Sequence, residues 1–228
     1  RLRRAWPALL ATLLCLGGLL ASFSRGAYLG AAVGGGLMAF LLLWQPAAGS
    51  RQPIGSRLLP IALALGGLVA LAGLVLLGMN VQRFNLLGAS SGIRLQTWAS
   101  ALAMLRDHPL GIGLDQFGRL YPSYIDPSLA DTNEIHTAHP HNLLLDITLR
   151  LGPLGLLAVG WLLVIFYRRT YRRTDAAAPL RALSVGALAA MSAALVHGFV
   201  DSFYFWPDLA FSFWLFIALA VWPDQESD

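Results

Sequence analysis

Charge is scarce in this 228-residue chain: Asp, Glu and Arg together make up 12% of it, against about 25% in soluble domains. Hydrophobic residues reach 57% and the mean hydropathy is +0.62, which excludes an ordinary soluble domain. Lysine is absent, so the net charge of +4 rests on sixteen arginines. The lone cysteine, Cys15, excludes an internal disulfide and offers no cysteine metal cluster, so redox chemistry is not expected. Leu14 rather than a small residue precedes it, and the surrounding apolar stretch is long for a secretory signal, which argues against a leader or lipoprotein reading. No internal repeat marks a solenoid, and no symmetric pair of broken helices marks a transporter.

What the chain does have is long apolar runs. Trp6 to Phe23, Ala27 to Trp44, Leu58 to Met79, Leu143 to Tyr167, Leu180 to Val200 and Leu209 to Trp222 are each close to the length that spans a hydrocarbon layer about 30 Å thick. Lipid offers no partner for an unpaired backbone N–H or C=O, so each run is expected to be a helix. The sequence therefore predicts an all-α, polytopic membrane protein with about six transmembrane helices.

If those helices alternate, Arg1, Arg3, Arg4, Arg51, Arg57, Arg168, Arg169, Arg172, Arg173 and Arg181 fall on one side, which the positive-inside rule makes cytoplasmic. The basic balance is then a topology signal rather than a nucleic-acid surface. The expected organisation is residues 1–79 with three transmembrane helices, 80–140 as a mainly helical outside loop, and 141–228 with three more helices and a short cytoplasmic tail. Gly26, Gly30 and Gly34 repeat at the spacing that lets helix backbones approach closely.

Within the outside loop, Ser90 and Ser91 are placed to cap a helix from about Gly92 to Asp107, with Arg94, Trp98, Ala101 and Leu105 on one face. Pro109, Gly111 and Gly113 break that helix. Tyr121, Pro122 and Tyr124 form an aromatic, turn-rich stretch of a kind that packs inward or meets sugar rings.

Three polar features converge on the outside face: the turn with Arg25, the Arg94 helix, and the HPHN segment with His139, His141 and Asn142. A guanidinium at a membrane boundary meets an anion or a water-filled cavity, or snorkels to headgroups. A phosphate or diphosphate matches its fork of donors. Pro140 suits a first helical position, which would place His141 and Asn142 in a first helical turn where anions are favoured. A neutral His141 there accepts a proton from a sugar hydroxyl, or is a capping residue without chemistry. His136, His139 and His141 as metal ligands match no familiar spacing. Asp146 and Arg150 suit an i,i+4 ion pair, with Arg150 counted as facing away from His141. His197 and Asp201 are likewise four apart, Asp201 orienting an arginine, binding an acceptor sugar or capping a helix end.

His141, Asn142, Gly152 and Gly155 reproduce a signature of His, Asn, nine residues, Gly, two residues and Gly. With SRGAYLG, RLQTW, HPLGIGLDQF and the late Asp201 turn in order, the chain resembles the membrane O-antigen ligases and their relatives, the O-antigen polymerases and protein O-oligosaccharyltransferases. The resemblance implies a GT-C-like integral-membrane glycosyltransferase, needing no metal or other cofactor, in a bacterial inner membrane. It would take a glycan from undecaprenyl diphosphate and transfer it at the periplasmic face to a glycolipid or glycan acceptor, most simply lipid A core in lipopolysaccharide biosynthesis. Arg25 and Arg94 would hold the diphosphate and His141 would assist the attacking hydroxyl, with Asn142, Asp201 and His139 in support. The resemblance also implies that the chain corresponds to the C-terminal part of a longer protein. From another class, a lipid-linked glycan transporter would equally want arginines facing a cavity. The outside loop is expected to be a lid over the site.

Overall fold

The computed structural model describes residues 2–44, 89–202 and 207–222. Every regular element among them is helical. Helices α1 (Leu2–Ala21) and α2 (Arg25–Trp44) precede α3 (Ala89–Asp107), a short α4 (Phe117–Leu120), and the long helices α5 (Leu143–Arg172), α6 (Ala178–Gly198) and α7 (Pro207–Val221). Three stretches are long and apolar enough to cross a membrane: Arg25–Leu42, Leu143–Asp175 and Pro179–Gly198. Trp6–Ala21 and Leu209–Val221 are shorter apolar helices. The expected span from Leu58 to Met79 lies outside the described residues.

The glycines of α2 explain its seat. A Cβ on Gly30 would come within 2.5 Å of the Ala193 carbonyl oxygen, one on Gly34 within 2.6 Å of the Ala189 oxygen, and one on Gly26 within 2.7 Å of the His197 ring. The three glycines thus let α2 lie antiparallel against α6 at backbone distance, the packing of small residues that the spacing predicts. Below this contact Leu41, Phe166, Val185, Leu188, Met191, Phe213 and Ile217 form a core that joins α2, α5, α6 and α7. At the end of the bundle that carries Arg168, Arg169 and Arg172, Arg173 donates to the Leu219 carbonyl at 2.7 Å and to that of Trp222, satisfying C-terminal carbonyls of α7.

Helix α5 is broken inside its span. Gly152 adopts φ 70°, ψ −176°, a conformation open to glycine, and Pro153 follows it. Proline has no N–H, so the carbonyl of Leu149, four residues earlier, loses its helical donor. The backbone N–H of Ile112 replaces it at 2.6 Å. Ile112 belongs to the HPLGIG turn, where Gly111 (φ 89°) and Gly113 (φ 92°) reverse the chain as the sequence predicts. A Cβ on Gly111 would sit 2.8 Å from that same Leu149 oxygen. The loop is therefore bonded to the kink rather than merely resting on it.

A second small core anchors the loop: Ala101, Met104, Phe117 and Tyr121 close on Leu149. Tyr121 is fully buried and stacked on Phe117 at 5.1 Å, so packing is its role. Tyr124 donates to Asp107 Oδ2 at 2.8 Å. Helix α3 begins at Ala89, which places Ser90 and Ser91 inside its first turn rather than at its cap. Its most buried residues are Thr97, Ser100, Ala101 and Met104, with Arg94, Trp98 and Leu105 half-buried at the margin. The predicted stripe is thus rotated, because Thr97 bonds the Tyr121 hydroxyl at 3.3 Å and turns its own face inward.

Gly30→Ala should lower the unfolding temperature in detergent, since overpacking against a backbone carbonyl costs about 1–3 kcal/mol. Gly35→Ala, where no atom lies within 4 Å of the new Cβ, should keep or slightly raise it, since alanine favours the helix over glycine.

Candidate active site

The α2 start, the α5 start and the α6 end meet at one end of the bundle, with α3 beside them. Ser24 opens α2, its hydroxyl accepting from the Ala27 N–H at 3.2 Å, so Arg25 is the first residue of the helix. Arg25 lines a pocket of about 370 Å³ together with Ser24, Gly26, Arg94, His197 and Val200. The two arginines that the sequence singles out, 69 positions apart by number, thus share one cavity. His197 reaches that cavity because Gly26 has no side chain to exclude it.

Helix α5 begins at Leu143, not at Pro140. Asn142 is its N-cap, in extended backbone conformation, with its side-chain oxygen accepting from the Leu145 N–H at 3.1 Å. The proline therefore lies before the cap, and His141 stands outside the helix at φ 51°. For a non-glycine residue this left-handed conformation costs on the order of 1–2 kcal/mol and persists only where the surroundings over-determine it. Three contacts do so here. Trp98 Nε1 donates to the His141 carbonyl at 3.3 Å, the His141 N–H donates to His139 Nδ1 at 3.4 Å, and His141 Nδ1 faces Asp201 Oδ1 at 3.4 Å.

Asn142 fastens this segment to the end of α6. Its backbone N–H donates to the Ser202 hydroxyl at 3.1 Å and its side-chain amide to the Phe199 carbonyl at 3.1 Å. Asp201 then divides its carboxylate, Oδ1 toward His141 and Oδ2 toward His197 Nε2 at 3.9 Å. The His141 hydrogen bond, followed by the Ser202 N–H and the charges of the two histidines, outweighs burial and holds the Asp201 carboxyl down to about 2. A charged Asp201 can only accept, so His141 Nδ1 is the donor of this contact.

His139 packs edge-on against His141, ring centroids 4.3 Å apart. Burial, followed by repulsion from His141 and Arg150, pushes its imidazole down to about 4. His139, His141 and Asp201 offer ligand atoms within 4.8 Å of one another, a set able to hold a cation. The metal trio weighed from sequence included His136; here Asp201 takes that place and His136 lies apart, exposed, in a short 3₁₀ turn. Metal independence thus remains an expectation.

Arg150 keeps the partner that the sequence predicts. Its pair with Asp146 is present at 2.8 Å, and it also binds Asp115 of the loop. With His139, Ala138 and Ser202 these residues line a second pocket of about 380 Å³. This pocket shares no lining residue with that of Arg25 and Arg94. Of His197 and Ser202, which line the two pockets, sequence reasoning gave a role to neither. The i,i+4 spacing of His197 to Asp201 was the signal available for the first; no local signal placed Ser202 beside Asn142.

Residues 10–160 match the family model described as O-antigen ligase, a stretch that includes Arg25, Arg94 and His141 and stops short of His197 and Asp201. No curated protein and no solved structure matches the chain.

The lowered His139 imidazole has a consequence for stability. Between pH 6.5 and about 4 the unfolded chain takes up a proton that the folded chain refuses, so stability is lost as pH falls through that window. Asp201 adds a further loss as pH falls from 3.8 toward about 2. His139→Gln should flatten the upper part of the profile, measured by thermal unfolding in detergent against pH.

Proposed function

The chain belongs to the O-antigen ligase family, membrane proteins of polysaccharide assembly, and on that premise we propose that it transfers a glycan from undecaprenyl diphosphate to an acceptor hydroxyl. The acceptor in this reading is lipid A core, making the reaction the ligation step of lipopolysaccharide biosynthesis. The observation that carries it is the sharing of one pocket by Arg25 and Arg94, with the Asp201–His141 pair next to it through His197.

The diphosphate takes the pocket, where two guanidinium forks match phosphate oxygens bidentately and the α2 N-terminus adds its own favourable field. The acceptor oxygen attacks the anomeric carbon of the donor sugar. A new glycosidic C–O bond forms as the bond from that carbon to the phosphate oxygen breaks, and its electron pair leaves with the diphosphate. The hydroxyl proton passes to His141 Nε2, and Asp201 stabilises the resulting imidazolium. The arginines matter most as charge develops on the leaving group, because donors fixed in advance need no reorganisation then. No step is routed through a cation. A cation held by His139, His141 and Asp201 would engage the base itself.

The reading places the site at the periplasmic face of the bacterial inner membrane. The arginines of the α5–α6 turn at the other end of the bundle support this by the positive-inside rule. The division into residues 1–79, 80–140 and 141–228 belongs to the same proposal, with the middle part as a periplasmic lid. Polymerase and protein O-oligosaccharyltransferase activities share this chemistry and differ in the acceptor. In a deletion strain, carrier-bound glycan accumulating without ligation supports the ligase, and single repeats on the core support the polymerase.

In the full-length protein, Arg25→Ala, Arg94→Ala and His141→Ala should each reduce glycan transfer by about 10²-fold or more while membrane insertion is kept. The assay is product formation from undecaprenyl-diphosphate glycan and lipid A core. Undiminished transfer in all three variants sinks the proposal.

A further inference from the structure

The second pocket has no part in holding the diphosphate, yet it reaches the same catalytic pair. His139, whose ring touches that of His141, lines it, and so does Ser202, the neighbour of Asp201 in the chain. His197, which touches Asp201 through the other carboxylate oxygen, lines the arginine pocket instead. The two cavities have no lining residue in common, and each has a lining residue in contact with the His141–Asp201 pair, His197 in the first and His139 in the second.

Their chemistry differs as well. Among its described lining residues the first pocket carries two arginines and no carboxylate. The second carries Asp115, Asp146, Arg119 and Arg150 with Ser202 and His139, so its charges balance and donors alternate with acceptors. Asp115 is 87% exposed while Arg150 and Asp146 are 10% and 1% exposed, so the row of charges runs from the open loop into the bundle. An ion pair serving only as a buttress needs no cavity beside it. This one borders about 380 Å³ of open space.

We propose that this pocket binds the acceptor sugar and presents its hydroxyl to His141 past His139, from a cavity separate from that of the diphosphate, an assignment that rests on the transfer reading above. Ionised carboxylates only accept hydrogen bonds, and vicinal sugar hydroxyls donate to them; Arg119 donates back to ring and hydroxyl oxygens. Asp115 and Arg119 come from the loop, whereas Asp146 and Arg150 come from α5, so the acceptor is gripped by both. Transfer then needs no exchange of substrates in a single cavity.

Gly118 allows the pocket to be filled without touching the base. A Cβ there meets Ala138 Cα and the Thr137 oxygen at 3.6 Å, ordinary contact, so a larger side chain extends into the open space. In the full-length protein, with saturating undecaprenyl-diphosphate glycan and core oligosaccharide varied as the acceptor probe, Gly118→Leu and Arg119→Gln should each raise the acceptor KM about tenfold or more. The KM for the donor should stay at the wild-type value, which also reports that the variants are folded. Should Gly118→Leu fail to fold, the exposed Arg119 decides alone. An unchanged acceptor KM, or an increase in donor KM instead, overturns the assignment while leaving the transfer reading intact. Failure of the wild-type protein to form product removes both.

Discussion

A carbonyl without a donor is expensive inside a membrane, and the Leu149 oxygen is made such a group by Pro153. Its repair by the Ile112 N–H is the bond on which the upper half of the molecule depends. It ties the polar loop to the membrane helix at a fixed point, and the Phe117–Tyr121 core closes over the same residue. From that anchor α3 runs back across the bundle end, where Trp98 reaches the His141 carbonyl and Arg94 the pocket of Arg25. A loop with no such tie would leave Arg94 and Arg25 with no reason to meet.

The site itself is organised around one carboxylate. Asp201 touches both His141 and His197, and its neighbour Ser202 holds the N-cap residue of α5. These links join α5 to the end of α6 without relying on apolar burial, which is of little use where lipid and water meet. They also hold His141 in a backbone conformation that its sequence would not choose. The strain and the hydrogen bonds that sustain it are concentrated on the residue proposed to move the proton.

Much of the helical framework was legible because membrane spans obey a single rule of length and apolarity, and glycines at four-residue spacing have a single use. The starts of α2 and α5 were less so. Ser24 and Asn142 follow capping rules, yet Pro140 was the stronger local cue and pointed to the wrong first residue. The pairing of Arg25 with Arg94 could be reasoned from cost alone, since neither charge suits lipid. The place of His197 could not, because it depends on what lies across from Gly26 in another helix.

The glycine contact between α2 and α6 has a mechanical meaning. Arg25 and His197 sit on two rods whose backbones already touch, so their separation is a fixed jaw that cannot widen for a bulkier guest. Arg94 is carried by a different element, α3, which the Trp98 bond to the His141 carbonyl fastens, so the third wall of the pocket is set by hydrogen bonds rather than by backbone contact. Two sides of the pocket are thus set by main-chain packing and one by side-chain bonds, so in the proposed reaction its width is a property of the helix pair and not of the loop alone.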